Sequence, residues 1–144
     1  MTNAPKVTAA IVDLIARAPA FSNRQVTIAH PGQLAEPELV TILSVKAVED
    51  ARSLGKGHRR ETLTVELGLV AEVNADDPQD ALDRAYKMFS DIEEVIGGTP
   101  NLGVSNVLYA QIGSWDQRSF VGDGKRTVEI TVDVNCVCNK DLEA

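Results

Sequence analysis

The chain has 144 residues, 44% hydrophobic, 24% charged and 4% aromatic, which is one domain's length with enough apolar content for a core. That balance excludes wholesale disorder. Fourteen Lys and Arg against 21 Asp and Glu leave a net charge of −7, which excludes sequence-independent binding of a phosphate backbone through the bulk surface.

From Met1 to Lys6 the chain leads into an amphipathic segment with Asp13 and Arg17 inside it. Neither a signal peptide nor a membrane span is expected, and the protein is expected in the cytoplasm. Val7, Ala10, Ile11, Leu14, Ile15 and Ala18 repeat at helical spacing, predicting a helix over Lys6–Ala18. Asn3 is its expected cap, Pro5 suits its first turn and Pro19 ends it. Gln25–His30 reads as a short strand closed by the turn signal His30-Pro31-Gly32, with loop as far as Pro37.

Arg60–Asn74 alternates almost without error, with Leu63, Val65, Leu67, Leu69, Ala71 and Val73 on one face. Pairing it with Glu38–Arg52 around Gly55-Lys56-Gly57 predicts a long hairpin. In that register Leu39, Leu43, Val45 and Ala47 stand opposite Val73, Leu69, Leu67 and Val65. Asp76-Asp77-Pro78-Gln79-Asp80 then starts a helix, with Asp77 as cap and Pro78 at the first position. Its apolar stripe is Leu82, Ala85, Met88, Phe89, Ile92, Val95 and Ile96, and Gly97-Gly98 is its expected stop. Two more strands follow, Val104–Trp115 and Arg126–Cys138, separated by a long loop, Asp116–Lys125, rich in Gly and charge. The order helix, strand, hairpin, helix, hairpin predicts a single α+β domain. It has a mainly antiparallel four- to five-stranded sheet, two helices packed on one face and long protruding hairpins.

The same residues carry little chemistry. Gly122-Asp123-Gly124-Lys125-Arg126-Thr127 lacks a phosphate loop's first glycine and its Ser or Thr, and it lies between strands, so a turn is expected there. Seven acids against Arg84 and Lys87 give Asp76–Glu94 a charge of −5. Asp76, Asp77 and Asp80 serve the helix start, while Asp83, Asp91, Glu93 and Glu94 are expected on a solvated face. Cys136 and Cys138 point to one face of one strand, poor geometry for a disulfide, and are expected to be buried thiols. With His30 and His58 far apart they make no zinc site, so no metal, cofactor or catalytic constellation is expected. Lys56, His58, Arg59 and Arg60 form the one basic cluster, with Lys125-Arg126 a smaller one. A charged hairpin tip accounts for the first; a contact with an acidic neighbour, such as the acidic helix of another copy, is the functional alternative.

Strand length adds an argument for assembly. A compact domain of this size has a diameter of roughly 35–40 Å, whereas 15 extended residues from Arg60 to Asn74 span roughly 50 Å. One end then overhangs, carrying Val48 and Leu54, and the natural cover is a second copy. A homo-oligomer is expected, with the hairpin tip Glu49–Glu61 leaning on its neighbour.

Taken together, these features resemble the tail terminator proteins of long-tailed phages with non-contractile tails. The resemblance covers nearly the whole chain. It runs through the helix Lys6–Ala18, the strand ending in Ala29-His30-Pro31-Gly32, and the long hairpin through Arg59-Arg60-Glu61-Thr62. It continues in the Asp-Asp-Pro-started helix with Ala81, Arg84, Ala85 and Tyr86, in Leu102-Gly103 and in the last two strands. The resemblance implies a hexameric ring that caps the finished tail tube, ends tube polymerisation and offers the surface joining tail to head connector. Implied partners are further copies of the chain, the tail tube protein, the connector or stopper protein, and DNA passing through the channel without sequence-specific binding; no membrane is implied. The implied location is the head-proximal end of the tail in the virion, after assembly in the host cytoplasm. Candidate interface residues are Lys56, His58, Arg59 and Arg60 at the tip, and Asp83 and Asp91 on the acidic helix. Trp115, Arg118, Phe120 and Lys125, in and beside the long loop, are candidates for the tube or connector. The competing readings are another head–tail connector or tail-completion protein, and a small α+β ligand-binding domain or enzyme.

Overall fold

A computed structural model describes residues 2–29, 36–53 and 58–141. Helix α1, Ala4–Arg17, turns Val7, Ile11 and Ile15 into the core and is followed by a single 3-10 turn, Pro19–Phe21. Asn3 precedes the helix without capping it: its side-chain amide donates to Glu61 Oε1 at 3.3 Å and to the Asn139 carbonyl at 3.0 Å. Strand β1, Gln25–Thr27, is shorter than the expected Gln25–His30, and Ile28 and Ala29 have already left the ladder. His30 and the turn after it lie outside the described residues, as does Lys56. Strands β2, Glu38–Ser53, and β3, His58–Asn74, form the expected hairpin. Helix α2, Pro78–Gly98, starts as read, with the Asp77 carboxylate accepting from the Asp80 N–H at 3.2 Å. It runs through Gly97 and Gly98 to Thr99, and the reversal comes later, at Leu102 and Gly103 with φ of 56° and 72°. Strands β4, Val107–Gly122, and β5, Lys125–Asp141, complete a sheet of order β1-β2-β3-β5-β4.

This is an α+β fold. Every pairing is antiparallel except the short β1–β2 contact, which is parallel. Both helices lie on one face, where Ile11, Ile15, Met88 and Ile92 pack on Leu63, Val65, Leu67, Ile130, Val132 and Val134. Burial of these apolar side chains is the main term holding the layers together.

Two further expectations are corrected. The β2–β3 register is not Leu39 opposite Val73: Leu39 pairs with Val70, Val45 with Val65 and Ala47 with Leu63, with a bulge between Ile42 and Ser44. β2 carries apolar residues at adjacent positions, Leu39-Val40 and Ile42-Leu43, so period-2 patterning alone fits more than one register. The bulge exchanges the faces, so Val40 turns toward the helices before it and Val45 after it. Leu43 is accommodated because its neighbour is Gly68, where a Cβ would stand 3.2 Å from the Leu43 side chain. The second correction is larger. Asp116–Lys125 is not a loop: both strands run through it to a two-residue turn, Asp123-Gly124, with Gly122 paired to Lys125. The φ angles of 52° and 71° at Asp123 and Gly124 mark a type I′ turn, the connection that suits the twist of a hairpin.

Candidate assembly surface

The nine candidate residues that are described do not form one patch. Arg60 pairs in register with Asn139 at one end of β3 and β5, and Lys125 pairs with Asn74 at the other. Those 14 positions along β3, from Arg60 to Asn74, are roughly 46 Å of strand. At the tip end His58 stands opposite Asp141 in the ladder, and Arg59 Nη1 lies 3.3 Å from Glu49 Oε1. Arg60 Nε and its row partner's Asn139 Oδ1 are both buried without a hydrogen-bond partner. At the opposite end Phe120 and Lys125 are exposed beside the turn. Arg118, on the same hairpin, pairs with Glu129 at 2.7 Å, and that carboxylate raises the guanidinium's pKa.

Trp115 and the two acids lie elsewhere. Trp115 is half-exposed on β4, edge-on to Tyr86 and Phe89 of α2, with ring centroids 5.7 and 5.3 Å away. Asp83 is exposed on α2 and accepts from Gln79 Nε2. Asp91 is not on a solvated face as expected. It is buried, 2.7 Å from Arg24 Nη1 and 2.6 Å from Lys87 Nζ. Burial alone would raise the Asp91 pKa; the hydrogen bonds from Lys87 and Arg24 outweigh it and hold the carboxyl below its usual range. Arg24 also reaches Glu38 at 3.2 Å and lies over the Phe21 ring, so one guanidinium ties α2 to the first residue of β2.

Glu61 was not singled out from the sequence, although it shares the inward parity of Leu63 and Val65. It is 2% exposed, and its carboxylate accepts from the Thr2 hydroxyl at 2.5 Å and the Asn3 N–H at 2.9 Å. The start of α1 is therefore clasped to the tip end of the β2–β3 hairpin. Cys136 and Cys138 are free, buried thiols, as the strand pattern required. Burial pushes their pKa values up to about 12 and about 11.

What the helices leave uncovered is lateral. β3 is buried from Glu61 to Ala71 apart from half-buried alternate positions, whereas β2 is largely exposed from Leu43 to Glu49. β4 is exposed throughout Ser114–Gly122. Val48, Tyr109, Trp115, Phe120 and Val121 are the large apolar side chains most in the open on these two strands. A shallow cleft of about 550 Å³ at the start of α2 is lined by Glu72, Asp76, Asp77, Asp80, Arg84 and Lys125. Among the described residues no group of three or more His, Cys, Asp or Glu is placed to hold a metal ion, and no helix is long and apolar enough to cross a membrane.

No family model matches the sequence, and no curated protein matches it. Among solved structures, the fold is similar to a chain of the "Virion of native gene transfer agent (GTA) particle". The TM-score is 0.64 over 91% of this chain and 94% of that chain, at 7% sequence identity. The shared property is the fold.

Proposed function

We propose that the protein is a non-enzymatic structural component of a phage-like virion, a tail terminator. Copies close into a hexameric ring on the head-proximal end of the tail tube, stop its polymerisation and present the surface to which the head connector or stopper binds. The channel passes DNA without sequence-specific contact. The observation that carries this reading is the likeness, along nearly the full length of both chains, to a chain of the gene transfer agent virion. The open lateral edges of the sheet support it, because strand edges of this length are ordinarily covered.

Negative-stain images of the purified protein test the ring: six-fold annuli are expected, and uniform small particles count against it. Deletion of the gene tests the role. Tails of irregular and excessive length are expected. Tails of normal length that fail to join heads would instead favour another connector or tail-completion protein.

A further inference from the structure

Strand β4 is the last of its sheet, and its outer edge is covered at one end. There the Ala110 N–H donates to the Pro100 carbonyl at 2.6 Å, so the chain after α2 lies against that half. Beyond the bulge between Ile112 and Trp115, Ser114–Gly122 is exposed. Among the described residues no backbone hydrogen bond reaches this stretch from outside the sheet. In a two-residue hairpin the residues flanking the turn exchange hydrogen bonds, and bonded pairs alternate from there. Gly122, Phe120, Arg118 and Asp116 therefore bond to β5, while Val121, Ser119, Gln117 and Trp115 turn N–H and C=O outward. Such an edge is a template for one more strand.

The occupant that fits is the same stretch of a second copy. Two β4 edges related by a two-fold axis across the sheet run antiparallel, and the residue on the axis sets their register. With Gln117 on the axis, its outward N–H and C=O meet those of its own copy, and Trp115 exchanges bonds with Ser119. Asp116 and Arg118 then stand directly opposite each other, twice. Opposite charges in that position are favourable and like charges are not. Centring on Asp116 or on Arg118 would set that residue against itself; centring on Ser119 would leave Arg118 against Phe120. Arg118 is 69% exposed while bonded to Glu129 at 2.7 Å, and its guanidinium has further donors for the contact. The joint also covers Trp115, whose 48% exposure is large for an aromatic side chain.

We propose that two copies of this chain pair antiparallel through the outer edge of β4 beyond Ser114, with Gln117 on the two-fold axis and Asp116 opposite Arg118. The contact does not rest on the ring reading. A two-fold axis joins like edges, whereas neighbours in a ring meet through unlike surfaces, so the joint links copies that are not neighbours within one ring.

Charge reversal tests the register. Asp116→Arg and Arg118→Asp each set two like pairs across the joint. Each alone should raise the dimer's Kd by roughly tenfold or more in sedimentation equilibrium. Mixed, the two variants restore both opposite pairs, and heterodimers should form about as tightly as the wild-type dimer. Single variants that dimerise like wild type, or a mixture no tighter than either alone, would overturn the proposal. A covalent link tests the axis. Gln117→Cys places one thiol of each copy there, with Cα atoms about 5.5 Å apart. A short bis-maleimide should couple it into dimers, while Ala9→Cys, exposed on α1, stays unlinked. The native thiols, held protonated by burial, contribute no thiolate. No coupling at Gln117→Cys, or equal coupling at Ala9→Cys, would overturn the joint and leave the ring standing. Coupling at Gln117→Cys in a protein that never forms six-fold annuli keeps the joint and overturns the ring.

Discussion

Asp91 shows how a single carboxylate can be misplaced by pattern alone. It sits in an acidic run beside the apolar stripe of α2, where a solvated face is the ordinary outcome. Its partner Arg24 is 67 positions away and becomes visible only when the chain is folded. Removing one member of a buried pair leaves the other uncompensated. Asp91→Ala should therefore cost about 3–5 kcal/mol by urea unfolding, and a loss below ~1 kcal/mol would place the pair in the class of solvated surface bridges. The pH dependence follows from the lowered pKa of Asp91. The unfolded carboxyl takes up its proton near 3.8 and the folded one only at lower pH, so the contribution is whole well above 3.8 and declines as pH falls through and below it. Stability of the Asp91→Asn variant should lose this component of the acid limb, measured as a smaller drop in unfolding free energy between neutral pH and pH below 3.8.

At the scale of elements, what could be read depended on whether a face was covered. β3 was legible because one face lies under helices and the other does not, so its side chains alternate. The start of α2 was legible because Asp77, Pro78 and Asp80 act within one turn. β4 beyond Ser114 was not, because its residues are exposed on both faces, Trp115 and Gln117 alone touching the edge of α2: Trp115, Asp116, Gln117, Arg118, Ser119 and Phe120 carry no period of two. An edge strand that no layer covers has no reason to alternate, and the stretch reads as loop. The Asp123-Gly124 pair held the missing signal, since an Asp-Gly step in a hairpin supplies two residues that tolerate positive φ. Gly124→Ala places a side chain at φ of 71° and should cost about 1–2 kcal/mol, read as a lower urea midpoint with exchange of β4 amides faster than wild type. An unchanged midpoint would mean that the turn relaxes to another type. Of the candidate site, strand length points to an overhang at the hairpin tip, whereas the exposure along β2 and β4 depends on their order across the sheet. Strand length was available from the sequence; the lateral position of each strand was not.

For the whole molecule, the order of strands across the sheet differs from their order along the chain. β5 lies between β3 and β4 yet follows both. Its partners on β3 stand between 51 positions (Asn74 to Lys125) and 83 positions (His58 to Asp141) away, contacts that close large loops and slow folding. During synthesis β2, β3 and β4 leave the ribosome before the strand that binds β4 into the sheet exists. Until then no strand of the sheet holds β4 beside the others. A copy thus completes its sheet only when β5 is seated; in the proposed ring, growth would wait on completion of each subunit. A chain stopped before Lys125 should be degraded rapidly by protease and should not join assemblies of the intact protein; incorporation of such fragments would show that the assembling surface forms without the central strand.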